Sequence, residues 1–343
     1  MTIALMDDSA AWDRFVEESP YGLLFHKWDF LKLIEKYSGY KLLPYGIYKG
    51  DELICLFPAF YRVKNGLRLL YSPPQQSLAY VPYLGFVLSP VFDSLRQHKK
   101  EHYMDLVSRE VNHELGRLNA NHITIASSPR LIDFRHFKWS GYRVEVSYTY
   151  IIDLKRSTQE LWDSLSKDCK KSIRDCEKKK LTLRPSDDVG TFIRIMRQNL
   201  AQKDDTFFHR QDPQYLKELL EKFPENLKMS FLYEEDALVA AAVNCEYKGH
   251  LLLWMCGKDS SRGDYGEYLN WEFIRQAKEN GCDRAENWGT EQKLLCVYKS
   301  KFNPALMPSY ALVKDDAIGR LATWAYGSIV KRPHISSLLA KVH

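Results

Sequence analysis

Two kinds of apolar spacing alternate along this chain, and their order predicts its architecture. Trp12 to Glu18 and Trp28 to Tyr37 place apolar side chains three and four residues apart, the signature of helices with one buried face. Extended runs follow at Leu42–Tyr48 and Leu53–Arg62, with a third expected at Ala79–Leu88. A long amphipathic helix is predicted from Asp93 to Asn119, then a short alternating strand at His122–Ala126 and an extended run at Arg143–Leu154. The second half repeats the order. Helices at Ser157–Lys179, Val189–Ala201 and Pro213–Phe223 precede strands at Met229–Tyr233, Leu238–Tyr247 and His250–Cys256. A helix at Tyr268–Asn280 stops at Gly281, followed by a strand near Cys282–Asn287, a short helix at Gln292–Lys301 and a strand at Tyr310–Lys314. Even the hairpins echo: Tyr48-Lys49-Gly50-Asp51-Glu52-Leu53-Ile54 returns as Tyr233-Glu234-Glu235-Asp236-Ala237-Leu238-Val239. The pattern predicts two α+β units in tandem, residues 1–147 and 148–314, and a helical tail, residues 315–343, returning to the first unit through Ile318, Leu321, Trp324 and Ala325.

Composition narrows the class. With 343 residues, 45% hydrophobic and 27% charged, the chain can build two cores and has no disordered bias. A net charge of +5 permits a polyanionic partner without requiring one. Seven cysteines contain no C-x-x-C pair, and several lie in apolar runs as small hydrophobes, which fits a reducing, cytoplasmic setting. The N-terminal residues show no signal-peptide pattern, and the most apolar window, Ser77 to Phe92, is broken by Pro82 and Pro90. A soluble protein without integral membrane association is expected.

The strongest local signal is basic. Leu161, Leu165, Cys169, Ile173 and Cys176 form one apolar helical stripe, while Lys167, Lys170, Lys171, Arg174 and Lys178 line the other faces. Such a face suits the phosphates of a nucleic acid or nucleotide-linked donor, or is a solvated surface paired with Asp168, Asp175 and Glu177. His98-Lys99-Lys100-Glu101-His102 matches H-x-x-E-H in form; it falls in a highly charged helix and is set aside, so no metal is expected.

The run L-S-K-D-C-K-K-S-I-R-D-C-E-K (Leu165–Lys178) resembles a segment of the Fem family of peptidoglycan-bridge aminoacyltransferases and their GNAT-like relatives, with Lys170 in place of the usual Arg and Cys176 in place of Ala. Lys203-Asp204, Phe207, Arg210 and Tyr215 resemble a second family stretch. Asn270 to Ile274 with Ala277 and Gly281 resembles a third, and Val297-Tyr298-Lys299-Ser300-Lys301-Phe302 resembles the "F-K-x-x-F" motif. Glu286-Asn287-Trp288-Gly289 stands where the family has Asp followed by glycines. The order of elements is also that of the GNAT acyltransferase fold, written twice.

What the resemblance implies is transfer of an aminoacyl or acyl group to an amine on a cell-envelope-type precursor, with aminoacyl-tRNA or acyl-CoA as co-substrate and no bound cofactor. By the same resemblance Lys299 is the catalytic candidate, Lys203, Arg210 and Tyr215 would hold the acceptor, Lys32 is a first-unit contact, and Trp254 takes a position usually held by Tyr. The loop 260–267 has its glycines at the wrong offsets for a pyrophosphate cradle, and Asp264 and Glu267 would repel one, which favours aminoacyl-tRNA over CoA. An acyl-CoA-dependent N-acyltransferase and a non-catalytic RNA- or nucleotide-binding protein are the alternatives.

Overall fold

The computed structural model describes residues 2–74, 81–201, 212–259, 261, 263–290 and 292–330, without the side chains of 199–201 and 325–330. Lys203 and Arg210 lie outside the described residues.

The first half contains β1 (Thr2–Leu5), α1 (Ser9–Glu18), α2 (Trp28–Ser38), β2 (Lys41–Lys49), β3 (Glu52–Lys64), β4 (Leu67–Ser72), β5 (Val87–Leu88), α3 (Gln97–Arg117), β6 (His122–Ser127), α4 (Arg135–Trp139) and β7 (Arg143–Asp153). The second contains α5 (Thr158–Ser164), α6 (Lys167–Glu177), β8 (Leu181–Pro185), α7 (Val189–Ala201), α8 (Pro213–Lys222), β9 (Leu227–Glu234), β10 (Ala237–Tyr247), β11 (His250–Lys258), α9 (Gly266–Glu279), β12 (Arg284–Asn287), α10 (Lys293–Ser300), β13 (Ala305–Asp315) and α11 (Ala317–Val330).

All the strands join one sheet, in the order β1-β2-β3-β4-β6-β13-β7-β12-β11-β10-β9-β8, with β5 attached to β3. Read from either end the order is the same: an edge strand, an antiparallel meander, then a parallel strand reached through a long helix. The parallel pairs are β4 with β6 and β11 with β12. Each half then closes with the other's last strand. β13 pairs with β6, β7 pairs with β12, and β13 and β7 pair with each other at the centre. The fold is therefore two tandem GNAT-like α+β units that exchange their final strands. The expected division at 147/148 falls inside β7.

The hairpin echo is structural. Lys49 pairs with Glu52 and Glu234 with Ala237, and the turns place Gly50 and Glu235 at positive φ (61° and 55°). Three expectations change. The third strand of the first meander is β4, not Ala79–Leu88, of which Val87–Leu88 only bridges to β3 and 75–80 are not described. The long helix starts at Gln97, because Pro90 opens a separate 3-10 turn, Pro90–Ser94. Ser157–Lys179 splits at Leu165–Ser166, where Ser166 caps α6 by accepting from the Cys169 N–H at 3.1 Å.

Aromatic packing fastens the halves together. Trp254 of β11 meets Phe25 and Phe30, with ring centroids 5.7 and 6.4 Å apart, and Tyr37 meets Tyr215 at 5.3 Å. Burying each such ring contributes about 2–3 kcal/mol. Lys248 Nζ donates to the carbonyls of Val16 and, at 3.0 Å, Ser19, capping the C-terminal end of α1. The tail helix begins against the first half, where Asn121 Nδ2 donates to Asp316 at 2.8 Å. Ile318, Leu321 and Trp324 are nonetheless largely exposed.

Candidate active site

The cleft arises from strands that part. β11 pairs with β12 only from His250 to Leu252, and β12 ends at Asn287, while β11 runs on to Lys258. On the far side β7 pairs with β12 only over Tyr150–Asp153. Beyond that point no strand lies between Leu253–Lys258 and Arg143–Thr149 among the described residues, and a V-shaped opening results. A bulge between Val243 and Cys245 takes Asn244 out of register with β11. The resulting cleft has a volume of about 960 Å³. Trp254, Met255, Phe273, Trp288 and Tyr298 supply its apolar surface; Asn244, Asn270, Asn287, Ser147 and Ser309 supply neutral polar groups; Lys258, Lys299 and Lys301 are its cations. Tyr83 brings the first half into the wall.

Lys299 is the feature of this cleft that most needs a reason. It projects from α10, is 7% exposed, and donates from Nζ to the carbonyls of Trp288 and, at 2.7 Å, Gly289. Gly289 has φ of +94°, a backbone that favours glycine, and an added Cβ would lie 3.4 Å from Nζ. Burial lowers the Lys299 pKa to about 8, against the pull of Cys296 and Glu286 in the other direction. A lysine held this way keeps one donor for a ligand.

The other two cations are neutralised locally. Lys258 pairs with Asp264 at 2.5 Å, and Lys301 pairs with buried Glu267 at 2.7 Å. Asp264 also accepts from the Gly266 N–H at 3.4 Å, so a carboxylate occupies the start of α9. Asn270 Nδ2 donates to Tyr298 at 3.1 Å. Asn287 is 6% exposed, and its Nδ2 has no acceptor among the described residues.

A buried carboxylate lies behind the Tyr83 wall. Glu286 Oε1 accepts from Tyr83 at 2.9 Å and Thr149 at 2.7 Å, and its Oε2 lies 3.3 Å from His250 Nε2. Burial pushes the Glu286 carboxyl up, but His250, Thr149 and Tyr83 outweigh it and hold the pKa below the ordinary value.

The residues picked from the sequence separate into groups. Lys299 and Trp254 are in the cleft. Tyr215 is not: it is buried between α8 and α2, and its hydroxyl has no partner among the described residues. Lys32 is exposed on α2 and paired with Glu35, also outside the cleft. Leu161, Leu165, Cys169, Ile173 and Cys176 are buried as the stripe predicted, leaving Lys167, Lys171, Arg174 and Lys178 exposed and Lys170 half-buried. Local partners engage part of this face: Lys170 binds the Asp163 carbonyl at 2.9 Å, Arg174 covers the Trp162 ring at 5.5 Å and Lys178 pairs with Asp175 at 2.7 Å. None of the five lines the cleft. Asn287, Tyr298 and the Tyr83–Glu286–Thr149–His250 group carried no role in the sequence reading, because strand pairing that cannot be seen in sequence brings them together. In the set-aside motif, Glu101 binds Gln97 and Arg135, and no metal-holding cluster occurs among the described residues.

Residues 164–299 match the acetyltransferase (GNAT) domain family. In sequence, no curated protein matches the chain. Among solved structures, FemX is similar with a TM-score of 0.68 at 12% identity, covering 90% of this chain and 97% of FemX. L-PGS from Bacillus licheniformis reaches 0.56 at 13% identity, covering 92% and 95%. A conserved protein of Bacteroides thetaiotaomicron reaches 0.59 at 12% identity, covering 89% and 96%. Residues 164–299, which contain Lys299 and most of the cleft, are therefore a GNAT-type domain, and the likeness to these structures shows a shared fold. Among the described residues no helix is long and apolar enough to cross a membrane.

Proposed function

We propose that the cleft forms an amide, transferring an aminoacyl group from aminoacyl-tRNA to the amine of a cell-envelope-type precursor. The observation that carries this reading is Lys299, an ammonium buried in the cleft, fixed by two carbonyls and left with one donor. The amine attacks an ester carbonyl, and negative charge develops on the carbonyl oxygen. A pre-positioned donor in a water-poor wall stabilises that charge; loss of one such donor lowers kcat about 100- to 1000-fold. Holding amine and ester side by side supplies much of the remaining acceleration, and the apolar walls around Trp254, Trp288 and Tyr298 suit that role.

The choice of aminoacyl-tRNA rests on the start of α9. Where a CoA pyrophosphate would need free backbone N–H groups, Asp264 accepts from Gly266 and Glu267 follows in the first turn. The exposed cations of α6, Lys167 and Lys171 among them, would meet the tRNA backbone, and α6 packs on α9. Likeness to L-PGS and FemX supports the same direction. A second reading, N-acylation from acyl-CoA, is favoured by the match of residues 164–299 to an acetyltransferase domain.

The test is a matrix of aminoacyl-tRNAs and acyl-CoAs against amine acceptors (amino sugars, lysyl peptides and nucleotide-linked muramyl peptides), read by mass spectrometry of the amide product. Product from aminoacyl-tRNA supports the first reading. Product from acyl-CoA alone replaces it with the second, and no product from any pair rejects both.

A further inference from the structure

Amide formation has a proton to dispose of, and the cleft wall contains a route for it. Tyr83 belongs to the first half, is 4% exposed, and lines both the cleft and a small cavity of about 30 Å³, room for about one water. That second cavity is also lined by Glu286 and His250. The Tyr83 phenol thus separates the cleft from a buried carboxylate to which it donates at 2.9 Å. Thr149 donates to the same oxygen at 2.7 Å, and His250 stands 3.3 Å from the other. The Ser309 hydroxyl, on the cleft wall, lies beside the phenol. Thr149 of β7 and His250 of β11 also reach this carboxylate, and neither lines the cleft. What only Tyr83 adds is a connection to the cleft.

We infer that Tyr83 and Glu286 form a proton relay for the transfer reaction, with the phenol as the station that meets the acceptor amine. The inference rests on the acyl-transfer reading of the cleft. The neutral amine attacks the donor carbonyl and a C–N bond forms, leaving a positive charge on nitrogen and a negative charge on oxygen. The ammonium proton passes to the Tyr83 oxygen as the phenol's own proton passes to Glu286 Oε1, so the phenol remains neutral throughout. Collapse of the intermediate restores the carbonyl and breaks the C–O bond, or the C–S bond of a thioester. The proton returns through Tyr83 to the departing oxygen or sulfur. One amine N–H is exchanged for one O–H or S–H, and the relay ends as it began. The charged or titratable neighbours of Glu286 are Tyr83, His250 of β11, Lys299 of α10 and Arg284 of its own strand. The first half then has a chemical part in the reaction, through a residue 203 positions from its partner in sequence.

Steady-state kinetics of Tyr83→Phe, Glu286→Gln and the double variant on the full chain test this, using the donor and acceptor pair that wild type turns over. Each single variant is expected to lower kcat about 100-fold with acceptor KM within about twofold, and the double variant to lose no more than either single one, as members of one relay do. Tyr83→Phe keeps the ring and leaves Glu286 with Thr149 and His250, so its thermal midpoint stays within about 3 °C of wild type; it decides the matter alone if Glu286→Gln fails to fold. An unchanged kcat, losses that multiply in the double variant, or an effect confined to KM overturns the relay while leaving the acyl-transfer reading intact. No turnover by wild type with any donor overturns that reading, and the relay with it.

Discussion

Replacing Lys299 by methionine separates stability from catalysis in a way the structure quantifies. Lowering a lysine from the ordinary 10.5 to about 8 corresponds to about 3 kcal/mol of disfavour for the charged form in the folded state. The sign follows from proton binding. Between pH 8 and pH 10.5 the unfolded chain retains a proton that the folded protein has released, so wild-type stability rises with pH through that window. Below pH 8 both states hold the proton and the disfavour is felt in full. Methionine is neutral at every pH and gains nothing. The stability difference, wild type minus Lys299→Met, is therefore expected to rise by about 3 kcal/mol between pH 7 and pH 10.5. At pH 7 the variant escapes the charge burial but leaves the Trp288 and Gly289 carbonyls without their donor, about 1–3 kcal/mol each, so the two proteins lie close together. Urea denaturation at half-unit pH steps measures both curves, and the other lysines cancel in the difference. Parallel curves refute the reasoning: Lys299 would then be solvated, and the cleft would hold no buried ammonium.

Three further outcomes follow. Asn287→Ala is expected to keep its thermal midpoint within about 3 °C, because its Nδ2 has no bond to lose, while kcat/KM falls at least about tenfold if the carboxamide contacts substrate; calorimetry and kinetics decide, and a drop in midpoint with full activity contradicts this. Lys248→Met is expected to stay close to wild type at pH 7, since losing the donor to the Val16 and Ser19 carbonyls is offset by relief of a burial that lowers the Lys248 pKa to about 8; a urea midpoint that falls far below wild type contradicts it. Lys167→Glu with Lys171→Glu is expected to weaken tRNA binding and flatten its log–log salt dependence by about one for each phosphate no longer neutralised, measured by filter binding; an unaltered slope removes α6 from the donor site.

The parts of the fold visible in the sequence are those set by local spacing. The buried stripe of α6, the Gly281 stop and both hairpins need only neighbouring residues to declare themselves. β1, β4 and β8 are short and owe their strand state to partners elsewhere, so no run of their own announces them. The exchange of β7 and β13 is less visible still, because a strand's sequence does not say which of two equivalent edges it will join. That exchange decides the site. It brings Thr149 to Glu286 and opens the cleft where β12 ends, placing Lys299 in a wall that its motif could suggest but not describe. Tyr215 shows the converse: an aromatic residue that fits a family stretch is taken up by the packing of α8 on α2. Lys32 makes the same point from the surface, where Glu35 engages it on α2 outside the cleft.

If this cleft joins an activated aminoacyl group to an amine with the help of Lys299, both the product and its dependence on that lysine are measurable. The most direct test is product formation by wild type and Lys299→Met side by side, with aminoacyl-tRNA and acyl-CoA donors and mass-spectrometric detection of the amide. An amide from aminoacyl-tRNA is expected with wild type, and a rate lowered about 100-fold or more in the folded variant. An amide formed equally fast by Lys299→Met, or by neither protein from any donor, would contradict this expectation.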